Sequence, residues 1–248
     1  MVETGTADAL LEVDGIETCY GLSQVLFGLS LSIHAGEMVA LMGRNGMGKT
    51  TTIRSIMGMT PARAGTIRFA GEEVRGLPSY RIAKLGIGLV PEGRQIFPNL
   101  TVLQNIEVAL QRQAGLASQF WRSQRILGRL RHRAFELLAA VGLDKFSRIE
   151  ARSLPYGRKR TLEIATTLAL EPKLLLLDEP MAGMGHEDIA TISTLIRSLA
   201  GRYAIIMIEH NLSVVSTICD QITVLPRGAV IAEGPYSEVN RNPAARDA

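Results

Sequence analysis

Eight consecutive residues, Gly43-Arg44-Asn45-Gly46-Met47-Gly48-Lys49-Thr50, fit the pattern G-x-x-x-x-G-K-[ST] in full. Glycines in such a loop let the backbone curl until successive N–H groups point at one anion. A helix starting near Lys49 aims its partly positive N-terminus at the same point. In that arrangement Lys49 reaches the β- and γ-phosphates of a nucleotide, and the Thr50 hydroxyl is a ligand for Mg2+. The bland alternative is a glycine-rich turn that happens to end in Gly-Lys-Thr. The unbroken apolar run Met38–Met42 directly before the loop argues against it.

A phosphate cradle needs a carboxylate partner for its metal and a group to handle the attacking water. The apolar run Leu174–Leu177 leads into Asp178-Glu179-Pro180. Side chains at the carboxyl end of a buried parallel strand face the crevice that a phosphate loop occupies. Asp178 there holds Mg2+ directly or through water. That leaves Glu179 as the general base for water attacking the γ-phosphate. Taken alone, an Asp-Glu pair at a strand end reads as solvated surface. A third apolar run, Ala204–Ile208, ends in Glu209-His210. His210 reads equally as a satisfied structural histidine or as an imidazole hydrogen-bonded to the γ-phosphate or to the water.

The elements that must position these groups are legible in the hydropathy pattern. Met38–Met42, Leu174–Leu177 and Ala204–Ile208 show no alternation, as expected of strands covered on both faces in a parallel sheet. Leu29, Leu31 and Ile33 alternate with Ser30 and Ser32, and Ile67 and Phe69 alternate between Gly65 and Gly71. A half-exposed antiparallel region is therefore expected beside the buried one. Thr101 and Gln104 have capping-box spacing ahead of a helix. Another helix is expected over about 158–170, stopping at Pro172. Ile189, Ile192, Leu195, Ile196 and Leu199 mark one face of a further helix, with Gly201 placed to end it. Strands alternating with amphipathic helices specify a parallel α/β sheet. The last eight residues are expected to fray.

Composition narrows the function classes. A chain of 248 residues that is 46% hydrophobic and 21% charged buries a core rather than remaining disordered. Its 27 basic and 24 acidic residues leave a net charge of +3, too mild to argue for a nucleic-acid partner. Two cysteines, Cys19 and Cys219, make no disulfide framework and suit a reducing compartment. No apolar run approaches the ~20 residues of a membrane span, and the N-terminus lacks a secretion-signal pattern. A cytoplasmic chain is expected. Between Glu107 and Glu136 there is no acid, while Arg112, Arg122, Arg125, Arg129, Arg131 and Arg133 are basic and Phe120 and Trp121 lie among them. This stretch reads first as a solvated helical face, next as a contact for anionic lipid headgroups and last as a nucleic-acid contact.

The loop at 43–50, the Leu174–Pro180 run and His210, in this order and spacing, resemble the ATP-binding subunit of ATP-binding-cassette (ABC) transporters over nearly the whole chain. The resemblance implies an α/β fold of the P-loop NTPase (ABC ATPase) kind: a mostly parallel core sheet, an antiparallel β subdomain and an inserted helical subdomain. One nucleotide-binding domain over 1–248 is expected, with 1–95 and 160–248 as catalytic core and 96–159 as the helical part, signature segment included. It implies ATP and Mg2+ as cofactors and hydrolysis of ATP, with Lys49, Glu179 and His210 catalytic and Thr51 grouped with residues 43–50 around the nucleotide. Two copies pair head to tail in that family, and each ATP lies between one phosphate loop and the other copy's signature segment. Tyr20 sits where the family places an aromatic that stacks on adenine, an interaction of ~1–3 kcal/mol; it also reads as an ordinary strand residue.

Val90-Pro91-Glu92-Gly93-Arg94-Gln95-Ile96-Phe97-Pro98 resembles a narrower group, the subunits that energise import of branched-chain amino acids and relatives that import urea or short amides. Glu92 stands where the family usually has a glutamine that senses Mg2+ and the membrane partner. The signature segment departs further. Leu154-Pro155-Tyr156-Gly157-Arg158 replaces Leu-Ser-Gly-Gly followed by Gln or Glu. Pro155 offers neither hydroxyl nor N–H to a partner's γ-phosphate. Leu154 and Gly157, with the helix after them, remain as the nucleotide-facing part, and Arg158, Lys159 and Arg160 are expected to supply attraction by charge. Gly185 replaces an aspartate that couples the two sites in many relatives. Expected partners are membrane-spanning permease subunits, a second ATPase subunit (paralogue or copy) and, indirectly, a periplasmic solute-binding protein. The expected place is the inner face of the cell membrane. Competing readings are a lipopolysaccharide-exporter ATPase, a non-transport ABC ATPase acting on DNA or ribosomes, and a nucleotide sensor without turnover.

Overall fold

A computed structural model describes residues 9–93, 95–115 and 124–247. Arg94, Phe120, Trp121 and Arg122, singled out above, lie outside them. The chain forms two compact units, one of residues 1–87, 173–179 and 199–248, the other of 88–172 and 180–198. The segment 96–159, expected as the helical part, runs inside the second unit.

In the first unit, β1 (Leu11–Tyr20), β2 (Ser23–Ile33), β4 (Ala64–Phe69) and β5 (Glu72–Glu73) form a sheet in the order β2-β1-β4-β5. All its pairings are antiparallel. The alternation read from the sequence is its buried face, since Leu29, Leu31, Ile33, Ile67 and Phe69 are all buried. The second sheet contains β3 (Met38–Met42), β7 (Leu174–Asp178), β8 (Ala204–Ile208), β9 (Gln221–Val224) and β10 (Ala232–Gly234), in the order β10-β9-β3-β8-β7. β9, β3, β8 and β7 run parallel and β10 is antiparallel. Every residue of β7 and β8 is buried, which is why neither shows a polar alternation. Helices α1 (Lys49–Ile56), α2 (Ser79–Leu85), α7 (Leu212–Ile218), α8 (Tyr236–Val239) and α9 (Pro243–Asp247) complete this unit.

β6 (Ile87–Val90) leads into the second unit, which holds α3 (Val102–Gln113), α4 (Gln124–Ala140), α5 (Tyr156–Leu168) and most of α6 (His186–Leu199). The capping box forms as read: Thr101 Oγ1 accepts from Gln104 N at 3.2 Å, and Gln104 Oε1 accepts from Thr101 N at 2.8 Å. The unit's core includes Ile106, Leu110, Leu138, Leu154 and Leu162. Asn105, fully buried on α3, accepts from Phe97 N at 2.8 Å and donates to Thr101 O at 2.9 Å, which ties down the loop ahead of the helix.

Three readings need adjustment. α5 starts at Tyr156, two residues early, because Pro155 enters it with φ −55° and needs no N–H there. The C-terminal segment does not fray throughout. α9 forms because Asn242 Oδ1 accepts from Ala244 N at 3.0 Å, with Pro243 at the first helical position. The acid-free stretch is partly neutralised from outside: Arg133 pairs with Glu171 at 2.8 Å and Arg131 with Glu107 at 3.9 Å.

Candidate active site

Three parallel strands bring the chemistry to one edge of the sheet. Leu41 of β3 and Asp178 of β7 both register with Ile208 of β8. The residues that follow these strands, Gly43, Glu179 and Glu209-His210, therefore leave the sheet side by side.

Gly43 has φ 142°, and a Cβ there would run into the carbonyl oxygen of Leu225, so no larger residue fits the start of the loop. Gly48 caps α1 with φ 99°. Between them the loop is clasped by a later turn: Gly228 N donates to Met47 O at 3.0 Å and Arg227 N to Met47 Sδ at 3.1 Å. Lys49 folds back across the loop, its Nζ donating to Gly43 O at 2.7 Å and Arg44 O at 3.0 Å. Burial draws its pKa below the ordinary lysine value, against the opposing pull of the Glu179 and Asp178 carboxylates. Lys49 and both carboxylates thus share one electrostatic environment.

Thr50 Oγ1 donates to Asp178 Oδ1 at 3.2 Å across 128 residues of sequence. A hydroxyl and a carboxylate oxygen side by side suit a small hard cation that keeps several waters. Glu179 Oε1 lies 2.6 Å from His210 Nε2. Glu179 has φ 46°, the left-handed region that a glutamate seldom adopts, and its N–H donates to Ile208 O at 3.1 Å. A cleft of about 510 Å3 opens beside Gly43, Arg44 and His210.

Tyr20 ends β1 and is 45% exposed. Burial raises its phenol pKa, but hydrogen bonds with Thr60, Thr51 and Arg54 outweigh that and leave it below the ordinary value. Of these neighbours, Thr51 is buried.

The first unit therefore gathers Lys49, Thr50, Asp178, Glu179 and His210. The second holds Glu92, Leu154 and Gly157. Glu92 is exposed just past β6, Leu154 is a core side chain, and Gly157 is buried where the Asp188 side chain occupies the space of a Cβ. The expected run of compensating charge is corrected at Arg160 alone. Arg160 turns inward and is 6% exposed, while Arg158 lies over the Phe146 ring at 4.2 Å. Sequence reasoning gave Arg160 an outward-facing role and missed its buried pairing, although a Glu163 three residues later is the spacing of an ion pair. The clasp at Arg227 and Gly228 left no local signal, because it depends on a turn 180 residues away from Met47.

The sequence model of the family described as ABC transporter matches residues 26–182, well over half the chain. The chain is 33% identical over 244 residues to the high-affinity branched-chain amino acid transport ATP-binding protein BraF of Pseudomonas aeruginosa, covering 94% of each. It is 31% identical to the lipopolysaccharide export system ATP-binding protein LptB of Haemophilus influenzae, covering 93% of this chain and 92% of that one. Among solved structures, the ADP conformation of MJ1267, an ATP-binding cassette of an ABC transporter, superposes with a TM-score of 0.84 over 97% of this chain and 98% of its own. At 24% identity that likeness speaks for the fold alone.

Proposed function

The chain belongs to the ABC transporter family, and from that membership we propose that it is the ATP-hydrolysing, energy-coupling subunit of a membrane importer for branched-chain amino acids. One observation carries the hydrolytic part: Lys49, the Thr50–Asp178 pair and the Glu179–His210 pair gather where three parallel strands end. The solute class rests on the likeness to BraF and on the Val90–Pro98 segment.

In this reading the N–H groups of residues 43–50, with Thr51, cradle the phosphates of ATP, and Tyr20 stacks on the base. Lys49 exchanges its loop carbonyls for β- and γ-phosphate oxygens. Thr50 and Asp178 are the residues that would hold Mg2+, and the ion would supply charge neutralisation at the phosphates. Glu179 takes a proton from the attacking water. His210 Nε2 holds that carboxylate in place and can turn to the γ-phosphate. Leu154 and Gly157 present the N-terminus of α5 to the ATP of a second ATPase subunit. Association around ATP and separation after hydrolysis then work on permease helices at the inner membrane face, because only differential affinity for the two nucleotide states can shift such an equilibrium.

The likeness to LptB keeps export of lipopolysaccharide as a second reading. A tag on this chain should co-purify its membrane partners. Reconstituted in vesicles, that complex should accumulate labelled leucine, isoleucine or valine at the expense of ATP. Partners that move lipopolysaccharide and no amino acid would replace the first reading with the second.

A further inference from the structure

Arg160 and Glu163, one turn apart on α5, form a buried ion pair with Nη1 2.8 Å from Oε2 and side-chain exposures of 6% and 5%. Removing two charges from water is unfavourable unless additional hydrogen bonds compensate, and apolar residues of similar size would pack such a helix at least as well. The Glu163 Oε1 atom is itself buried and takes no hydrogen bond among the described residues. The pair is therefore poorly explained as a stabilising device. Its other contacts suggest what it holds. Nη1 donates to Pro91 O at 2.6 Å, and Nε donates to Pro180 O at 3.3 Å. Pro91 immediately precedes Glu92, and Pro180 immediately follows Glu179. All four residues of this contact set, Pro91, Arg160, Glu163 and Pro180, lie in the second unit.

We propose that Arg160 is a positioning residue for ATP hydrolysis: its guanidinium, oriented by Glu163, anchors the peptide plane that carries Glu92 and the chain just after Glu179. The proposal rests on the reading of Glu179 as general base. Both acceptors belong to prolines, which have no N–H, so the carbonyl is the one backbone group by which either residue can be hydrogen-bonded. The carbonyl of Pro91 and the nitrogen of Glu92 share one rigid peptide plane, so anchoring the first orients the second. The ring of Pro180 locks its φ, which leaves a single soft dihedral between the anchored carbonyl and the peptide bond from Glu179. Glu179 needs such restraint, because its φ of 46° persists only if the surroundings impose it. Its hydrogen bond to Ile208 O restrains one side of the residue, and Arg160 restrains the other.

Only a guanidinium can do this. It is planar, keeps its charge and spreads donors over a fixed fork, whereas an ammonium concentrates them at one point. Arg160→Lys in the full chain, assayed within its membrane complex, should lower kcat at least ~10-fold, since a misplacement of about 1 Å can cost ~100-fold. Affinity for ATP should stay within about twofold, as the Lys49 loop is untouched. Amide exchange at Glu92 and Met181 should rise while that of β3 stays put. Glu163→Gln, which keeps an acceptor but loses the charge, should shift kcat and exchange in the same direction by less, and it serves as the test if Arg160→Lys does not fold. A kcat within twofold of the parent overturns the proposal. So does a fall in kcat matched by equal losses in ATP affinity and thermal midpoint, which marks a merely structural role. Glu179→Gln assayed in parallel separates the two levels. If it still turns over, the general-base reading fails and takes this proposal with it; if it is inert beside a normal Arg160→Lys, the proposal alone falls.

Discussion

His210 Nε2 lies 2.6 Å from Glu179 Oε1, although the two residues are 31 positions apart and leave different strands. The contact gives the carboxylate a fixed direction at a backbone position that is itself restrained in the left-handed region. A general base must be held within hydrogen-bond reach of its water, and a rotating glutamate would lose most of that advantage.

Glu179→Gln should therefore bind ATP normally and lose turnover by about 100-fold or more, the size expected for a general base. His210→Ala should bind ATP as well and lose turnover on its own. Because the two act as one unit, the double variant should be little worse than Glu179→Gln. Single-turnover hydrolysis beside equilibrium nucleotide binding checks this. Independent, multiplying losses in the double variant would show that the contact is incidental.

The Thr50–Asp178 pair leads to a metal prediction. Thr50→Ala and Asp178→Asn should each raise the Mg2+ concentration for half-maximal hydrolysis, by tenfold or more, since even ligand-supporting residues are worth ~10–100-fold in metal affinity. Chelation of the metal should abolish turnover in the parent. A titration of Mg2+ at fixed ATP gives the answer, and unchanged midpoints in both variants would remove these residues from the metal site.

Pro155 enters α5 without a side-chain cap and without an N–H. With Arg160 turned inward, charge from the 158–160 run is reduced where a partner's γ-phosphate would lie. A homodimer carries this proline at both sites, a heterodimer with a conventional paralogue at one. The purified chain alone should hydrolyse ATP slowly, and mixing it with a paralogue that carries the conventional signature should raise turnover per site. Pro155→Ser, which returns a hydroxyl and an N–H to the N-cap, should raise the homodimer rate. Equal turnover per site in the homodimer and the mixed dimer would show that the proline does not matter.

Cys219, a half-buried free thiol, is pushed up to about 12 by burial, with the charges of Asp220 and Glu209 adding to the effect. The sign follows from linkage. Below the ordinary thiol value of 9.0 the group is neutral in both folded and unfolded chains, and its contribution to stability is fully present. As pH rises from there toward about 12, only the unfolded thiol ionises, and that contribution is lost. Urea midpoints of the parent and of Cys219→Ala should therefore diverge between pH 7.5 and 10.5, the parent falling more. Alkylation by iodoacetamide at pH 9 should be much slower in the folded chain than in urea, because the thiolate is the reactive form. Parallel pH slopes for the two proteins would show that the thiol is not shifted.

Much of the site could be read from local spacing. The glycine pattern at 43–48, the apolar runs ending at Met42, Asp178 and Ile208, and the Thr101–Gln104 cap depend on residues a few positions apart, and backbone sterics and side-chain periodicity act on that scale. Such features say which groups stand at a strand end. They do not say which ends are neighbours. The Thr50–Asp178 and Glu179–His210 contacts exist because β8 pairs with both β3 and β7 in register, an outcome of packing across the whole sheet. The same holds for Arg160, which by composition reads as one more surface charge in a basic run. It points inward because the carbonyls of Pro91 and Pro180 and the carboxylate of Glu163 converge on it, and no window of sequence contains all three.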